Sequence, residues 1–146
     1  APFALTDLGK VFLNRSTQDK SLWYKPEQVI PAEHYSGFTG VIHLALCDDE
    51  TGVLQLTDLK KDTAVEYQIE LPEDRSYFME LRYNTYYEAP LRVFLDGKLL
   101  GILELENTEY TWKNRSVDIP LPAGQHTLRL EGETAFPVTL NWLMLK

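Results

Sequence analysis

Residues 64–83 read Ala64-Val65-Glu66-Tyr67-Gln68-Ile69-Glu70-Leu71-Pro72-Glu73-Asp74-Arg75-Ser76-Tyr77-Phe78-Met79-Glu80-Leu81-Arg82-Tyr83. Val65, Tyr67, Ile69 and Leu71 alternate with Glu66, Gln68 and Glu70. After the turn, Tyr77, Met79, Leu81 and Tyr83 alternate with Phe78, Glu80 and Arg82. Successive side chains of a strand point to opposite faces, so this pattern puts one face on a core and the other toward water. Pro72-Glu73-Asp74 supplies the reversal between the two strands.

The same pattern continues outward. Leu91, Val93 and Leu95 alternate with Arg92, Phe94 and Asp96. Asp96-Gly97 is a hairpin signal, because both central residues of the favoured turn need positive φ. The return strand is expected from Leu99 to Leu105, and the next from Ser116 to Leu121, closed by Pro122-Ala123-Gly124. Thr127 to Glu131 follows, then a last strand through Val138, Leu140, Trp142 and Met144. Upstream, Leu5–Leu13 and Val41–Leu46 read as strands. Ser16–Gln28 reads as a loop with a short strand near Leu22-Trp23-Tyr24. No stretch from residue 64 onward has a helical period. Many short strands separated by turn signals predict an all-β chain, an antiparallel β-sandwich of the jelly-roll kind. The chain reads as one domain, 1–146, with 1–29 an N-terminal extension or connector and 30–146 the core.

The chain has 146 residues, 44% hydrophobic and 25% charged, which fits a folded domain with a real core. Its formal net charge of −8 repels polyanions, so a nucleic-acid partner is not expected. No apolar run is long enough to span a membrane. Ala1-Pro2-Phe3 does not begin a signal peptide, so the expectation is removal of a leader or excision from a longer chain. The one cysteine, Cys47, excludes an internal disulfide and reads as space-filling. Asn-Arg-Ser sequons begin at Asn14 and Asn114.

In an antiparallel sandwich successive loops fall at alternate ends. Connections 72–76, 96–98 and 120–125 share one end and are tight turns. Connections 57–63, 84–90, 106–112 and 132–137 share the other, which collects Tyr86, Tyr87, Tyr110, Trp112 and Phe136 with Asn84, Asn107, Asp58 and Asp62. Aromatic faces stack on the C–H patches of sugars, and Asn and Asp bond the hydroxyls around them. The alternative is that these rings plug the open end of the core, and Trp112, opening a strand, is the first expected to be buried. A second candidate surface is one sheet face carrying Glu66, Gln68, Glu80, Arg82, Arg92, Phe94, Arg129 and Glu131. Cross-strand charge pairing explains it without a ligand.

No catalytic constellation is legible. His34, His43 and His126 stand in unrelated segments without metal-ligand spacing, and Cys47 has no adjacent base. There is no nucleophile elbow, phosphate loop or dinucleotide fingerprint. Asp48-Asp49-Glu50 reads as a solvated turn rather than a calcium loop.

Five segments, in order, resemble the family 6 carbohydrate-binding modules. Ile30-Pro31-Ala32-Glu33-His34-Tyr35 is similar to the family's opening strand, and Val65-Glu66-Tyr67 to its Val-Glu-Tyr strand. Phe94 to Gly101 is similar to the central hairpin, Leu121 to Leu130 to the Leu-Pro-Ala-Gly-x-His-x-Leu-x-Leu run, and Leu140-Asn141-Trp142-Leu143 to the closing strand. The resemblance covers residues 30–146. It implies a non-catalytic β-sandwich that binds oligosaccharides or polysaccharides at the loop end, as an accessory module of a secreted glycoside hydrolase, extracellular or periplasmic. The family's platform aromatic falls at about Asp58, its second aromatic at Tyr110 or Trp112, and a frequent asparagine of the last strand at Thr139. The expected ligand-binding set is therefore Tyr110, Trp112, Tyr86, Tyr87, Asn107 and Asp58. The resemblance also implies a structural calcium, with Glu33 and Asn141 as ligands, although Pro31 offers no side-chain oxygen. The alternative function is a structural domain packed on a catalytic domain without binding sugar. A small enzyme is the remaining reading.

Overall fold

The computed structural model describes residues 22–47 and 54–146. The strand expected over Leu5–Leu13, the Asp48-Asp49-Glu50 run and the Asn14 sequon lie outside the described residues. The strands are β1 Ile30–Pro31, β2 Gly37–Thr39, β3 His43–Leu46, β4 Leu54–Leu59, β5 Ala64–Leu71 and β6 Arg75–Asn84. They continue with β7 Leu91–Leu95, β8 Lys98–Leu103, β9 Lys113–Leu121, β10 Gly124–Gly132 and β11 Val138–Leu145. One sheet has the order β3-β4-β11-β6-β9, with β1 added to β11, and the other β2-β5-β10-β7-β8. The named strand pairings are all antiparallel. Only β3–β4 and β7–β8 are consecutive strands of one sheet, and the chain crosses between the sheets at every other connection, which makes a jelly-roll sandwich.

The core lies between the sheets where the alternation predicts it. Val65, Tyr67, Ile69 and Leu71 of β5 face Tyr77, Met79, Leu81 and Tyr83 of β6, all buried. Burying tyrosines requires partners for their hydroxyls. Tyr67 donates to the Ala32 carbonyl at 2.7 Å and Tyr77 to the Glu73 carbonyl at 2.6 Å. Asp96 and Gly97 have φ of 50° and 84°, the left-handed pair the hairpin signal requires. Near the start of the described chain, Tyr24 forms a bridge to Ile69 at the edge of β5.

Four sequence expectations need correction. Asp58 belongs to β4, which begins at Leu54, and not to a loop starting at residue 57. β9 begins at Lys113, three residues before the predicted Ser116. The last strand does not keep one phase. Its register slips between Leu140 and Trp142, so Val138, Leu140, Leu143 and Leu145 are buried while Trp142 and Met144 turn to the outer side. A β-bulge places two residues against one and flips the alternation beyond it. Finally, the eight outward positions assigned to one sheet face divide between two. Glu80 and Arg82 lie on β6, and the rest on the β5, β7 and β10 sheet. The latter set pairs internally: Arg129 reaches Glu66 at 3.9 Å and Glu131 at 3.3 Å, and Arg92 reaches Glu131 at 3.8 Å.

Candidate functional site

The strand directions put the connections after β4, β6, β8 and β10 at one pole, as the loop parity predicts. Lys61 N donates to Thr134 O at 2.7 Å and Tyr110 N to Thr85 O at 2.9 Å, which joins these connections in pairs. The second junction is built on two buried threonines. Thr108 Oγ1 accepts from Thr85 N at 2.9 Å and donates to Thr85 O at 2.9 Å. The hydroxyl thus satisfies both backbone groups of Thr85 where water has no access.

Beyond this junction the backbone enters the left-handed region twice in succession, at Glu109 (φ 53°) and Tyr110 (φ 62°). Such residues persist only where surrounding contacts hold them. Asn107 Oδ1 caps the same bend by accepting from Glu109 N at 2.8 Å. The bend delivers Tyr110 to the surface, where it is 72% exposed, the most exposed of the large hydrophobic residues described.

Four aromatic rings then form a continuous rim. Tyr110 stacks on Tyr86 at 5.0 Å between centroids, Tyr86 meets Tyr87 edge-on at 5.1 Å, and Tyr87 stacks on Phe136 at 4.3 Å. All four are exposed. The structure therefore joins Tyr86, Tyr87 and Tyr110 as expected and places them outside the core. Pairing uses ring faces: one face of Tyr110 is taken by Tyr86 and one of Tyr87 by Phe136.

Trp112 is separate from the rim. It is half-buried, and the guanidinium of Arg82 lies 4.6 Å from its ring centroid. This cation–π contact occupies one ring face. Trp112 instead lines an open cleft of about 550 Å³ with Tyr110, Thr111, Asn84, Gln55 and Thr139. Tyr110 belongs to both features and links them. The remaining lining groups are amides and hydroxyls without a formal charge, which both donate and accept hydrogen bonds. Thr139 and Asn84 oppose each other in the β11–β6 ladder. Sequence reasoning did not single out Thr111, and it missed Gln55. Its signal was the alternation Leu54-Gln55-Leu56, too short to be recognised as a strand.

Asp58 does not line the cleft. It has φ of 64°, and its Oδ2 lies 2.6 Å from His43 Nδ1 on β3. Its carboxylate is engaged by the His43 ring. Asn107 stays at the rim loop but commits its carbonyl oxygen to the Glu109 amide.

Of the two residues implied as calcium ligands, Glu33 is a buried carboxylate, and the surroundings of Asn141 argue against the ion. Asn141 is buried, and its Oδ1, the atom a cation would need, accepts from Arg82 Nη1 at 3.0 Å. Its Nδ2 donates to Leu54 O at 3.1 Å. A guanidinium beside Oδ1 repels a divalent cation. Calcium also takes six to eight oxygens. Among the described residues no group of three or more His, Cys, Asp or Glu converges on a common point. Cys47 is half-buried near Asn141 Nδ2, at 3.9 Å.

No protein-family model matches the sequence, and no curated protein does. Solved structures do match. A family 6 module of lichenase 5A from Cellvibrio mixtus, in complex with cellotriose, is 19% identical and covers 83% of this chain and 97% of its own, with TM-score 0.74. A β-1,3-glucan-binding family 6 module from Bacillus halodurans is 21% identical and covers 86% of this chain and 99% of its own, with TM-score 0.75. A family 43 arabinoxylan arabinofuranohydrolase from Bacillus subtilis, in complex with cellotetraose, is 15% identical over 86% of this chain. There the likeness spans 28% of the enzyme, with TM-score 0.75. The chain has the β-sandwich fold of these carbohydrate-binding modules.

Proposed function

We propose that this chain is a non-catalytic carbohydrate-binding domain whose ligand is a neutral oligosaccharide or polysaccharide, held between Tyr110 and Trp112. The observation that carries the reading is the exposed ring of Tyr110, fixed by a strained bend over a cleft lined with uncharged amides and hydroxyls. Stacking on Tyr110 takes the apolar face of a pyranose, while Asn84, Gln55, Thr111 and Thr139 take its hydroxyls. Tyr86 and Tyr87 support the platform from behind, and Phe136 extends it. Asn107 shapes the loop, and Asp58 is not assigned a ligand contact. Calcium is not assigned to Asn141, whose Oδ1 accepts from Arg82. The described lining of the cleft is aromatic rings, amides and hydroxyls, which suits binding of a neutral sugar.

The likeness to modules solved with cello-oligosaccharides, and to part of an arabinofuranohydrolase, supports a further reading. In it the chain is an accessory module of a secreted glycoside hydrolase, working outside the cytoplasm. The test is a glycan array probed with the wild-type chain and with Tyr110→Ala. Retention of a neutral glycan by the first, reduced at least about tenfold in the second, is expected. An array with no retained glycan would favour the alternative, a structural domain packed on a catalytic partner. Release of sugar by the isolated chain would restore the enzyme reading.

A further inference from the structure

At the pole opposite the aromatic rim, His126 is the third residue of β10 and lies between two turns. Its Nδ1 lies 2.6 Å from Asp96 Oδ2, on the β7–β8 hairpin. Its Nε2 lies 2.9 Å from the Pro122 carbonyl and 3.1 Å from that of Ala123, in the β9–β10 turn. The imidazole is only 12% exposed. A carbonyl oxygen can only accept, so Nε2 must carry a proton to bond there. Asp96 Oδ1 already accepts Thr127 N at 2.8 Å, and an ionised carboxylate also only accepts, so Nδ1 must carry one too. A neutral imidazole has a single N–H and cannot make both contacts.

We propose that His126 is held as an imidazolium and acts as a pH-sensitive latch that ties together the turns of this pole. The ring joins the 96–97 hairpin to the 122–123 turn. Ala123 N donates in turn to Asp74 Oδ1 at 2.6 Å, which adds the β5–β6 connection. The charged groups of the elements at this end include Lys98, which closes the β7–β8 hairpin, Glu73 and Arg75, 3.3 Å apart at the β5–β6 connection, Glu70, which accepts from Gln125 Nε2 at 3.1 Å, and Lys25, 3.8 Å from Glu70.

Burial of the ring disfavours its charge, but the hydrogen bonds to Asp96, Ala123 and Pro122 and the Asp96 charge more than offset this, so its pKa lies above the usual 6.5. A group with a raised folded pKa stabilises fully below its unfolded value and loses that contribution as pH rises through the folded one. Asp96 behaves in the opposite sense. The Thr127 amide first, and His126 second, hold it below the usual 3.8, so its contribution is lost as pH falls through its own folded value. The latch is complete between these limits and opens on the alkaline side by deprotonation of His126.

The experiment is a long-range ¹H–¹⁵N titration of the His126 ring in the full chain, from about pH 5 to about pH 9. Both nitrogens protonated at pH 6.5, with a midpoint above that value, is the expected result. A neutral tautomer at pH 6.5, or a midpoint at or below it, would overturn the latch. Melting temperature against pH gives a second measure. Wild type should lose stability relative to His126→Gln as pH rises through the titration midpoint, and parallel profiles would also overturn the proposal. Neither measurement involves a glycan, so the outcome is independent of the sugar-binding reading.

Discussion

Tyr110 concentrates the functional argument because a tyrosine at φ 62° beside a glutamate at φ 53° is unfavourable unless neighbouring bonds hold it. Removing its ring takes away contact area without opening the core, since the ring is already at the surface. Tyr110→Ala should therefore leave the melting temperature within about 2 °C of wild type while abolishing most glycan retention. Trp112→Ala should differ. The indole is half-buried and covers Arg82, so its loss should cost about 1–2 kcal/mol as well as affinity, read by urea unfolding alongside binding. Equal stability of the two variants would remove the distinction between rim and cleft. The sequence brought both residues forward as candidates. It could not show that Arg82 takes one face of Trp112, because the two are thirty positions apart and meet only through the β6–β9 pairing.

The element that fixes the site is the junction of the β6–β7 and β8–β9 connections. Thr108→Val keeps the shape of the side chain but removes the hydroxyl that both accepts from and donates to the Thr85 backbone. A buried amide left without its partner costs about 1–3 kcal/mol. We expect a loss of that size in denaturant unfolding, with weaker glycan retention than in wild type, because the Glu109–Tyr110 bend loses its anchor. Gly132, at the end of β10, tests the neighbouring junction. A Cβ there would lie 2.2 Å from the Lys60 carbonyl carbon, so Gly132→Ala must push the β4–β5 turn away. Overpacking of this kind costs about 1–3 kcal/mol, which a thermal melt would show as a fall of several degrees. The period-two alternation of β5 and β6 was legible at this scale because each keeps one phase from end to end. The bulge in β11 was not, since an extra residue changes the phase without altering hydrophobicity.

Across the whole molecule, the charge of −8 and the uncharged lining of the cleft lead to one prediction. Affinity for a neutral glycan should change by less than about twofold between low and high salt, because no ion pair with the ligand is screened. A steep salt dependence, measured by titration calorimetry, would instead require a charged ligand group. The sequence by itself determined the sandwich, the inward faces of its central strands and the collection of aromatic loops at one pole. Alternation and chain reversal are local properties, and their consequences follow from strand geometry. Tertiary structure decided which rings remain available, that Asp58 turns to His43, that Arg82 faces Asn141 where a cation was expected, and that Gln55 joins Thr139 in a cleft. Those outcomes depend on contacts between residues distant in the chain, which only sheet order and register bring within reach.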